Sequence, residues 1–453
     1  MASMTAPAPV RRQRAFARSG RLLLRALLVA GIIGVLAAWW FATPSSLTFT
    51  PASTATSLGE LSGMAGAFLV CAQVLLIARV PWFERAVGMD RLVSWHRTLG
   101  STVLFLILSH VLLMVLGVQL LTSGTPWGAT AAVLTSYPDM LTALIGTLLF
   151  LVLGISSARI PRGKISYETW YWLHVTAYVA IFLTFFHELS AGVHFVNNPL
   201  NRAAWIVLYL ATASAVLTWR FILPAAAAWK HRMVVSHVVD EGNGLSSIWL
   251  AGPHLDELGV RAGQFMMFRF MSVGHMLTAH PFSLSRLPAD GLMRITVGAL
   301  GDHSSRMRHL KPGTAVLAEG PFGHFTPDAS RRRKVLLIAG GAGIGPMRVL
   351  AESLVAEGRN VVMVYRSSRE RPALERELRA LRPLVLHTVV GSRAELGHDP
   401  LAARPLGRLV RDISEREVYV CGPLGMAHTV DESLSRLGVS KRMIHREILS
   451  MGH

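Results

Sequence analysis

Four histidines lie in two apolar stretches of the chain, and their spacing is suited to binding a metal cofactor. His96 and His110 lie fourteen residues apart in the first stretch, and His174 and His187 lie thirteen apart in the second. On a helix, either spacing separates the two imidazoles by about 20 Å along the axis. Two such helices side by side would therefore offer one histidine pair at each of two depths.

Ionisable side chains in a membrane helix are costly, so each is a functional hypothesis. Neutral imidazole is a common ligand of metals, and a planar haem can take one axial imidazole on each face. Two matched pairs therefore favour two haems over histidines that merely satisfy their own hydrogen bonds. Fourteen helical steps of about 100° return to nearly the same face, but thirteen do not. We therefore expect the second helix to bend, or its haems to be tilted.

The composition sets the broad class of protein. The chain has 453 residues, of which 51% are hydrophobic, and its mean hydropathy is +0.42, which is too apolar for an ordinary soluble protein. Lys and Arg total 45 against 27 acidic residues, for a net charge of +18. Such a balance suits nucleic acid or anionic lipid. The two cysteines, Cys71 and Cys421, cannot build a disulfide framework, a zinc site or an iron–sulfur site.

Six apolar segments are long enough to span a bilayer. They lie at roughly 22–42, 61–80, 98–121, 138–157, 171–191 and 203–223. The first is longer than a signal-peptide core and is read as a retained helix, although its alanine-rich end also suits cleavage. Lys and Arg concentrate in the N-terminal arm and in the connections 79–97 and 158–169, whereas 43–60 and 122–137 have none.

Because positive residues favour the cytoplasmic face, this distribution predicts that both termini are cytoplasmic. The chain is therefore expected to be a multi-pass protein of the plasma membrane, with the lipid bilayer as a partner. Much of the positive charge is thus explained by topology. This argues against nucleic acid as a partner.

The pattern changes after Pro224. Short alternating or apolar runs, separated by Gly, Pro and Asp, predict a small antiparallel barrel. From Lys334 onward, strands alternate with helical patterns in the rhythm of a doubly wound parallel sheet. The predicted fold class is a multidomain membrane protein: an all-α six-helix transmembrane bundle, an antiparallel β-barrel domain and an α/β doubly wound domain. The predicted ranges are 1–20 for a basic arm, 21–224 for the membrane domain, 231–330 for the barrel and 334–453 for the α/β domain.

The barrel segment contains the motif His280-Pro281-Phe282-Ser283-Leu284-Ser285. An aromatic residue followed by a hydroxyl would give a flavin ring a stacking face and a hydrogen bond. Downstream, Gly301 to Ser305 enter a predicted short helix, and a helix N-terminus with a serine cap is a natural seat for a pyrophosphate. Taken alone, the motif is also a common combination of apolar residues and a turn.

The α/β segment contains a glycine-rich turn, Gly340-Gly341-Ala342-Gly343-Ile344-Gly345-Pro346, between an apolar strand and a helix. Glycines there let the backbone approach a pyrophosphate. The next strand ends in Tyr365-Arg366-Ser367-Ser368-Arg369, without an acid to bind a free ribose hydroxyl. Arg and Ser suit a 2′-phosphate, which favours NADPH over NADH, although an ordinary solvated loop is the alternative.

A third motif, Cys421-Gly422-Pro423, ends another apolar strand. Open α/β sheets place ligands at the ends of such strands. The alternative is a structural turn with a buried thiol that does nothing.

In this order, HPFSLS, the GPFG at Gly320–Gly323, GGAGIGP and CGP resemble the ferredoxin–NADP reductase superfamily. With six preceding apolar segments and this histidine spacing, the chain from about residue 20 to 447 resembles the ferric reductase/NADPH oxidase family of transmembrane reductases. The resemblance implies that His96 pairs with His174 on a cytoplasmic-side haem and His110 with His187 on an outer one.

The same resemblance implies FAD and nicotinamide sites. Phe282 and Ser283 would face the isoalloxazine, and Cys421 would lie near the nicotinamide, so that Ser283 and Cys421 are the catalytic candidates. The FAD pyrophosphate would lie at Gly301 to Ser304. The implied cofactor-binding residues are His280, Pro281, Phe282, Ser283, Gly301, Ser304, Gly340, Gly341, Gly343, Gly345, Pro346, Arg366, Ser367, Cys421, Gly422 and Pro423, with His96, His110, His174 and His187 as metal ligands.

The predicted function is transmembrane electron transfer from cytoplasmic NADPH, or NADH, through FAD and two b-type haems to a small-molecule acceptor outside. A ferric chelate, dioxygen or a quinone would suit as the acceptor. Two alternatives stay open: a membrane-bound flavin reductase that supplies a quinone or partner protein without haems, and a six-span transporter with a nucleotide-binding domain. Protein partners are not indicated by the sequence.

Overall fold

A computed structural model describes residues 10–43, 50–158, 165–299, 302–330, 332–368 and 370–448. It separates a helical unit, Arg14–Ile222, from a second unit that contains Leu223–His453. The predicted barrel and α/β domains thus lie together in one compact unit.

The helical unit consists of long helices joined by short ones. Its helices are α1 (Val10–Ala42), α2 (Pro51–Ile77), α3 (Pro81–Val87), α4 (Met89–Thr122), α5 (Pro126–Ser136), α6 (Met140–Ser157), α7 (Tyr167–Val175), α8 (Ala177–Ala191), α9 (Val193–Val196) and α10 (Pro199–Leu217).

Within the described ranges, six stretches are long and apolar enough to cross a membrane, which makes the chain a multi-pass membrane protein. They are Ser19–Ala42, Pro51–Ile77, Arg91–Thr122, Met140–Ser157, Thr169–Ala191 and Pro199–His231. The second begins ten residues before the predicted segment. The reason is a capping box in which Thr50 and Ser53 exchange hydrogen bonds, with Pro51 in the first helical turn, a strong start signal.

Two of the membrane helices are irregular. The fifth span is interrupted at Thr176, between α7 and α8, where the Thr176 hydroxyl donates to the Leu173 carbonyl at 2.7 Å. The sixth passes from α10 through a π-helical turn at Thr218–Ile222 into α11 (Leu223–His231). Side chains that bond back to the helix, and π-turns, are recognised causes of local bending.

Small residues let α2 approach α4 closely. A Cβ atom added at Gly59 would lie 2.9 Å from the Met114 sulfur, and one at Gly117 would lie 2.3 Å from the Thr56 hydroxyl. Such close helix contacts are how membrane helices associate. Large apolar side chains such as Leu112 point outward and are exposed in the protein alone, as a lipid-facing surface requires.

The second unit begins with an antiparallel sheet of order β1-β2-β5-β4-β3-β6. Its strands are β1 (Val234–Gly242), β2 (Leu245–Ala251), β3 (Phe265–Phe270), β4 (His280–Ala289), β5 (Leu292–Gly298) and β6 (Val316–Phe322). The edge strands β1 and β6 meet only near a single bridge, Val234 to Ala315. The predicted barrel is therefore an antiparallel sheet whose edges touch over a short segment, without a continuous ladder around the circumference.

A parallel sheet of order β11-β10-β7-β8-β9 follows. Its strands are β7 (Lys334–Gly340), β8 (Asn360–Ser367), β9 (Val385–Val390), β10 (Glu417–Gly422) and β11 (Ile444–Ile448), and the helices of this unit are α12 (Asp302–Arg306), α13 (Ile344–Ala356), α14 (Glu375–Ala380), α15 (Arg393–Leu396), α16 (Ala403–Leu409) and α17 (Leu424–Arg436). Alternate residues of β7 face opposite sides: Leu337 packs in one core with α13, and Leu336 packs in another with α16 and α17.

Candidate functional site

The structure brings the four membrane histidines together as two pairs. The ring centroids of His96 and His174 are 5.9 Å apart, and those of His110 and His187 are 6.3 Å apart. Two imidazoles bound to opposite sides of one metal ion, each with a bond of about 2 Å, place their centroids about 6 Å apart. Both pairs therefore have the spacing of a two-imidazole metal site. The interruption at Thr176 separates His174 from His187, so their thirteen-residue spacing does not lie on one regular helix.

Backbone carbonyls orient both histidines of α4. Nδ1 of His96 lies 3.1 Å from the Gln73 carbonyl oxygen, and Nδ1 of His110 lies 2.9 Å from that of Gly59. A carbonyl can only accept, so Nδ1 must donate, and Nε2 then carries the free lone pair. This is the usual arrangement of a metal-binding imidazole. Gln73 and Gly59 were not among the residues predicted from sequence.

Gly63 makes room for the His110 ring. A Cβ atom at this position would lie 2.6 Å from Nδ1 of His110. Gly63 is one helical turn beyond Gly59, so the imidazole reaches the Gly59 carbonyl over a surface that has no side chain. The Gly-x-x-x-Gly spacing of residues 59 and 63 is a signal for close helix packing and could have indicated this contact.

Charged groups differ around the two pairs. Arg220, in the π-helical turn, donates from Nη1 to the Ile77 carbonyl at 2.9 Å, one turn of α2 beyond the Gln73 carbonyl that orients His96. Glu60 follows Gly59, whose carbonyl orients His110, and Nε2 of His194 lies 3.0 Å from a Glu60 carboxylate oxygen. The His96–His174 pair therefore lies near a cation, and the His110–His187 pair lies near a carboxyl group.

The flavin motif lies on β4. His280 is buried, Phe282 is half-buried and Pro281 is exposed, and the His280 and Phe282 rings lie 6.3 Å apart. Phe282 therefore offers a partly open aromatic face, on an interior strand of the sheet, to a planar ring. Ser304 is buried in α12, whereas Gly301, its predicted companion at the pyrophosphate, lies outside the described residues.

Ser283 and Cys421, which are 138 positions apart, come together at Glu447. The Ser283 hydroxyl donates to a Glu447 carboxylate oxygen at 3.0 Å, and Glu447 pairs with Cys421 across the β10–β11 ladder. Burial, followed by the nearby Glu447 carboxylate, raises the pKa of the Cys421 thiol well above its ordinary value. The thiol is therefore neutral at physiological pH. Sequence reasoning missed Glu447 because only strand pairing places it here.

The glycine-rich turn begins at the end of β7, as predicted, and its glycines have different roles. Gly341 has a φ of +55° and open space where a side chain would be. A Cβ atom at Gly343 would lie 2.2 Å from the Cys421 carbonyl oxygen, and one at Gly340 would lie 2.4 Å from the Met426 sulfur. Gly345, followed by the buried Pro346, packs against the antiparallel sheet. Only Gly341 is open to a ligand, and the others permit close packing at the strand ends.

The remaining motif residues lie at the same edge of the parallel sheet. The Arg366 guanidinium donates to the backbone carbonyls of Ser367, Val389 and Gly391, so in this conformation it ties β8 to β9. Burial lowers the pKa of Arg366, and Ser367 is also buried. Gly422 ends β10 and Pro423 is the N-cap of α17.

The membrane half matches a known family. Residues 62–185 match the family described as "Ferric reductase like transmembrane component". The match begins within α2, one residue before Gly63, and contains all of His96, His110 and His174.

The chain is also similar to a ferredoxin reductase component and to a flavohemoprotein. The chain is 31% identical over 228 residues to the ferredoxin reductase component of 3-ketosteroid-9-alpha-monooxygenase from Mycolicibacterium smegmatis, a match that covers 47% of this chain and 64% of that protein. It is 26% identical over 270 residues to a flavohemoprotein from Xylella fastidiosa, covering 56% of this chain and 67% of that protein.

A solved structure, the flavohem-like FAD/NAD-binding domain of nitric oxide dioxygenase from Vibrio cholerae, shares 22% identity and a TM-score of 0.41, with 49% of this chain and 99% of that chain covered. The sequence matches, together with the six membrane helices, agree with the architecture that the motifs implied. The chain therefore joins a region that matches the ferric-reductase-like transmembrane component to a region that is similar in sequence to ferredoxin reductase components.

Proposed function

We propose that this chain is a transmembrane oxidoreductase that carries electrons from cytoplasmic NADPH, or NADH, through FAD and two b-type haems to a small-molecule acceptor on the opposite face. The single observation that carries the proposal is the pair of imidazole clamps, His96–His174 and His110–His187, with centroid spacings of 5.9 and 6.3 Å. A ferric chelate or dioxygen is the acceptor class we favour.

The membrane residues fit two haems. Haem iron needs only two axial protein ligands because the porphyrin supplies four nitrogens. Among the described residues, no three His, Cys, Asp or Glu side chains form a site that could hold a metal ion without a porphyrin. The Gln73 and Gly59 carbonyls would select the tautomer of His96 and His110 that presents Nε2 to the iron.

The second unit fits the two nucleotides. Phe282 would contact the flavin ring, and the open turn at Gly341 would receive the nicotinamide dinucleotide phosphates. When bound, these nucleotides supply hydride chemistry and the haems supply one-electron chemistry. The protein orients the reacting groups: Ser283 and Glu447 form a hydrogen-bonded pair at the end of β10, and Cys421 stays protonated and neutral beside them.

The direction of transfer follows from charge. Arginine and lysine concentrate in the N-terminal arm and in the connections that follow the second and fourth spans. We therefore place these connections, both termini and the nucleotide-binding unit in the cytoplasm. The His96–His174 pair is then the inner pair and the His110–His187 pair the outer one.

An absorbance experiment tests the proposal. Protein produced with an ample porphyrin supply and purified in detergent should show a Soret band, and anaerobic NADPH should produce reduced b-type bands. Changing His187 to leucine should remove the haem of the outer pair and leave the flavin bound. His194→Leu is the matched control, because His194 is a buried histidine of the same membrane unit that belongs to neither pair. Protein that shows flavin absorbance but no Soret band would contradict the haem relay.

One observation favours a second candidate. The chain is similar to the ferredoxin reductase component of a monooxygenase, and such a chain could serve as a membrane-bound flavin reductase that supplies a quinone or a partner protein. That activity would leave NADPH-dependent flavin reduction intact in the His96→Leu and His187→Leu variants, and acceptor reduction would be equally unaffected. In the haem relay, acceptor reduction on the outer face stops in both variants.

A further inference from the structure

Arg220 is a charged residue in the sixth membrane span, where a charge is costly and calls for a role. It lies in the π-helical turn Thr218–Ile222, a kind of irregularity that is frequent at functional sites. Its side chain is half-buried and donates to the carbonyl of Ile77, the last residue of α2, at 2.9 Å. The Gln73 carbonyl that orients His96 lies four residues earlier on α2, about 6 Å along the helix axis, so Arg220 places its positive charge beside the inner pair.

The outer pair has the opposite surroundings. Glu60 is the residue after Gly59, whose carbonyl oxygen lies 2.9 Å from Nδ1 of His110. Its carboxylate lies 3.0 Å from Nε2 of His194. A carboxyl group on α2 therefore lies beside the outer pair, whereas a guanidinium from the sixth span lies beside the inner one.

Adding an electron to a haem adds one negative charge. A fixed cation nearby stabilises the reduced form and an anion destabilises it, and these effects are large where water is excluded. We propose that Arg220 makes the inner pair the higher-potential site, and that Glu60 makes the outer pair the lower-potential one. This inference rests on the proposed function, because it requires a haem at each pair.

The consequence concerns the transfer between the two sites. One electron leaves the inner site and one arrives at the outer site, with no bond made or broken and no proton moved. At equilibrium this step is unfavourable. A membrane potential that is negative inside favours the outward movement of negative charge, so it offsets the cost, and the outer site is left as the stronger reductant toward the acceptor.

Equilibrium redox titration of the haem bands, on the full-length protein in detergent, tests the proposal without measuring activity. The wild type should titrate as two components. Arg220→Gln should lower the higher component by at least the shift for a tenfold change in equilibrium constant, about 59 mV for one electron, and leave the lower one in place. Arg220→Lys, which keeps the charge, should shift it much less. Glu60→Gln should raise the lower component.

Arg202 provides a matched control at the other end of the same span. Its guanidinium also donates to a helix carbonyl, that of Leu189, at 2.9 Å, but the residue is exposed, so solvent screens its charge. Arg202→Gln should move neither component. A purely structural role for Arg220 would change the haem content or the midpoints of both components equally.

Several results would overturn the proposal: Arg220→Gln shifting the lower component or neither, or Glu60→Gln shifting the higher one. If Arg220→Gln does not fold, the single haem left in His110→Leu should titrate as the higher component, and titration as the lower one overturns the assignment. If His110→Leu loses both haems, the Glu60→Gln titration decides. Failure of the proposed function looks different, because wild-type protein would then show no b-type bands to titrate.

Discussion

The membrane unit and the nucleotide-binding unit build their candidate sites in different ways. In the membrane, four histidine side chains form two pairs, and backbone carbonyls of Gln73 and Gly59 orient two of the four. In the second unit, the site is made by strand ends and by glycines that let those ends approach each other. Residues as distant as Ser283 and Glu447 then meet at 3.0 Å.

This difference predicts which property a substitution in each unit should change. Under the proposed function each membrane site depends on two histidine side chains, so changes there should remove a cofactor. In the second unit the glycines and ion pairs hold a shape, so changes there should weaken stability or binding by degrees. The five predictions that follow test this contrast, beginning with the largest expected effect.

Gly63→Ala should remove the haem of the outer pair and leave the inner one. The added Cβ atom would lie 2.6 Å from Nδ1 of His110, and the ring cannot retreat without losing its bond to Gly59. Haem content per flavin, measured by absorbance, checks this. Gly34→Ala is the control, because a Cβ atom there meets nothing within 4 Å. Full haem content in Gly63→Ala would show that the helix contact is softer than the structure indicates.

Glu377→Gln should destabilise the second unit. The Glu377 carboxylate forms ion pairs with Arg294, which is nearly fully buried, and with Arg348. Its loss therefore leaves a buried guanidinium without its carboxylate partner. Because Glu377 itself is partly exposed, we expect a loss of about 2 kcal/mol in the free energy of unfolding, below the usual cost for a buried pair. Thermal unfolding followed by flavin fluorescence measures it. Glu352→Gln, which removes only an exposed partner of Arg348, should cost less than about 0.5 kcal/mol.

The same pair sets a pH dependence. Burial alone would raise the pKa of Glu377, but Arg294 and then Arg348 lower it below its ordinary value of 4.5. The stabilisation is therefore fully present above that value and is lost as the pH falls through the lower pKa of the folded state. The difference in melting temperature between wild type and Glu377→Gln should shrink in this acidic range. A constant difference would contradict the ion-pair account.

Gly343→Ala should weaken NADPH binding by roughly tenfold, or about 1.4 kcal/mol. The added Cβ atom would meet the Cys421 carbonyl oxygen at 2.2 Å, and this backbone contact can be relieved only by moving the turn away from the end of β10. Fluorescence titration with NADPH measures the affinity. Gly425→Ala, in helix α17, adds a Cβ atom in open space and should bind NADPH like the wild type.

The smallest effect is expected at Cys421, whose thiol should not react with an alkylating reagent in the native protein. Burial raises the pKa of this thiol, so at pH 7 to 8 almost none is present as the nucleophilic thiolate. Iodoacetamide followed by peptide mass spectrometry should label Cys421 only after denaturation. Rapid labelling of native protein would mean that the strand end opens far more readily than its packing implies.

Much of the architecture could be predicted from sequence because the signals were local. The strand Lys334–Gly340 and the glycine-rich turn after it lie where the pattern places them, since an apolar run followed by glycines specifies its own conformation. The strand Ile444–Ile448 was missed. It is short, and only its pairing with β10 identifies it, so the position of Glu447 beside Ser283 could not be inferred from spacing.

The membrane histidines could be predicted from sequence, but their hydrogen-bond partners could not. Their types and spacing indicate metal binding, but the partners that orient them do not follow from residue type. Gln73 contributes its main chain, and Arg220 reaches Ile77 from a helix 143 positions away. Neither contact follows from periodicity, because both depend on how neighbouring helices are rotated against each other.

The use of main-chain acceptors has an evolutionary consequence. Every amino acid has a carbonyl group, so no point substitution at position 73 can delete the acceptor that orients His96. At position 59 the acceptor is equally permanent, and only bulk that pushes α2 away from Met114 and His110 can disturb it. Tautomer selection should therefore persist through sequence drift on α2, and the constraint should fall on the size of residues 59 and 63.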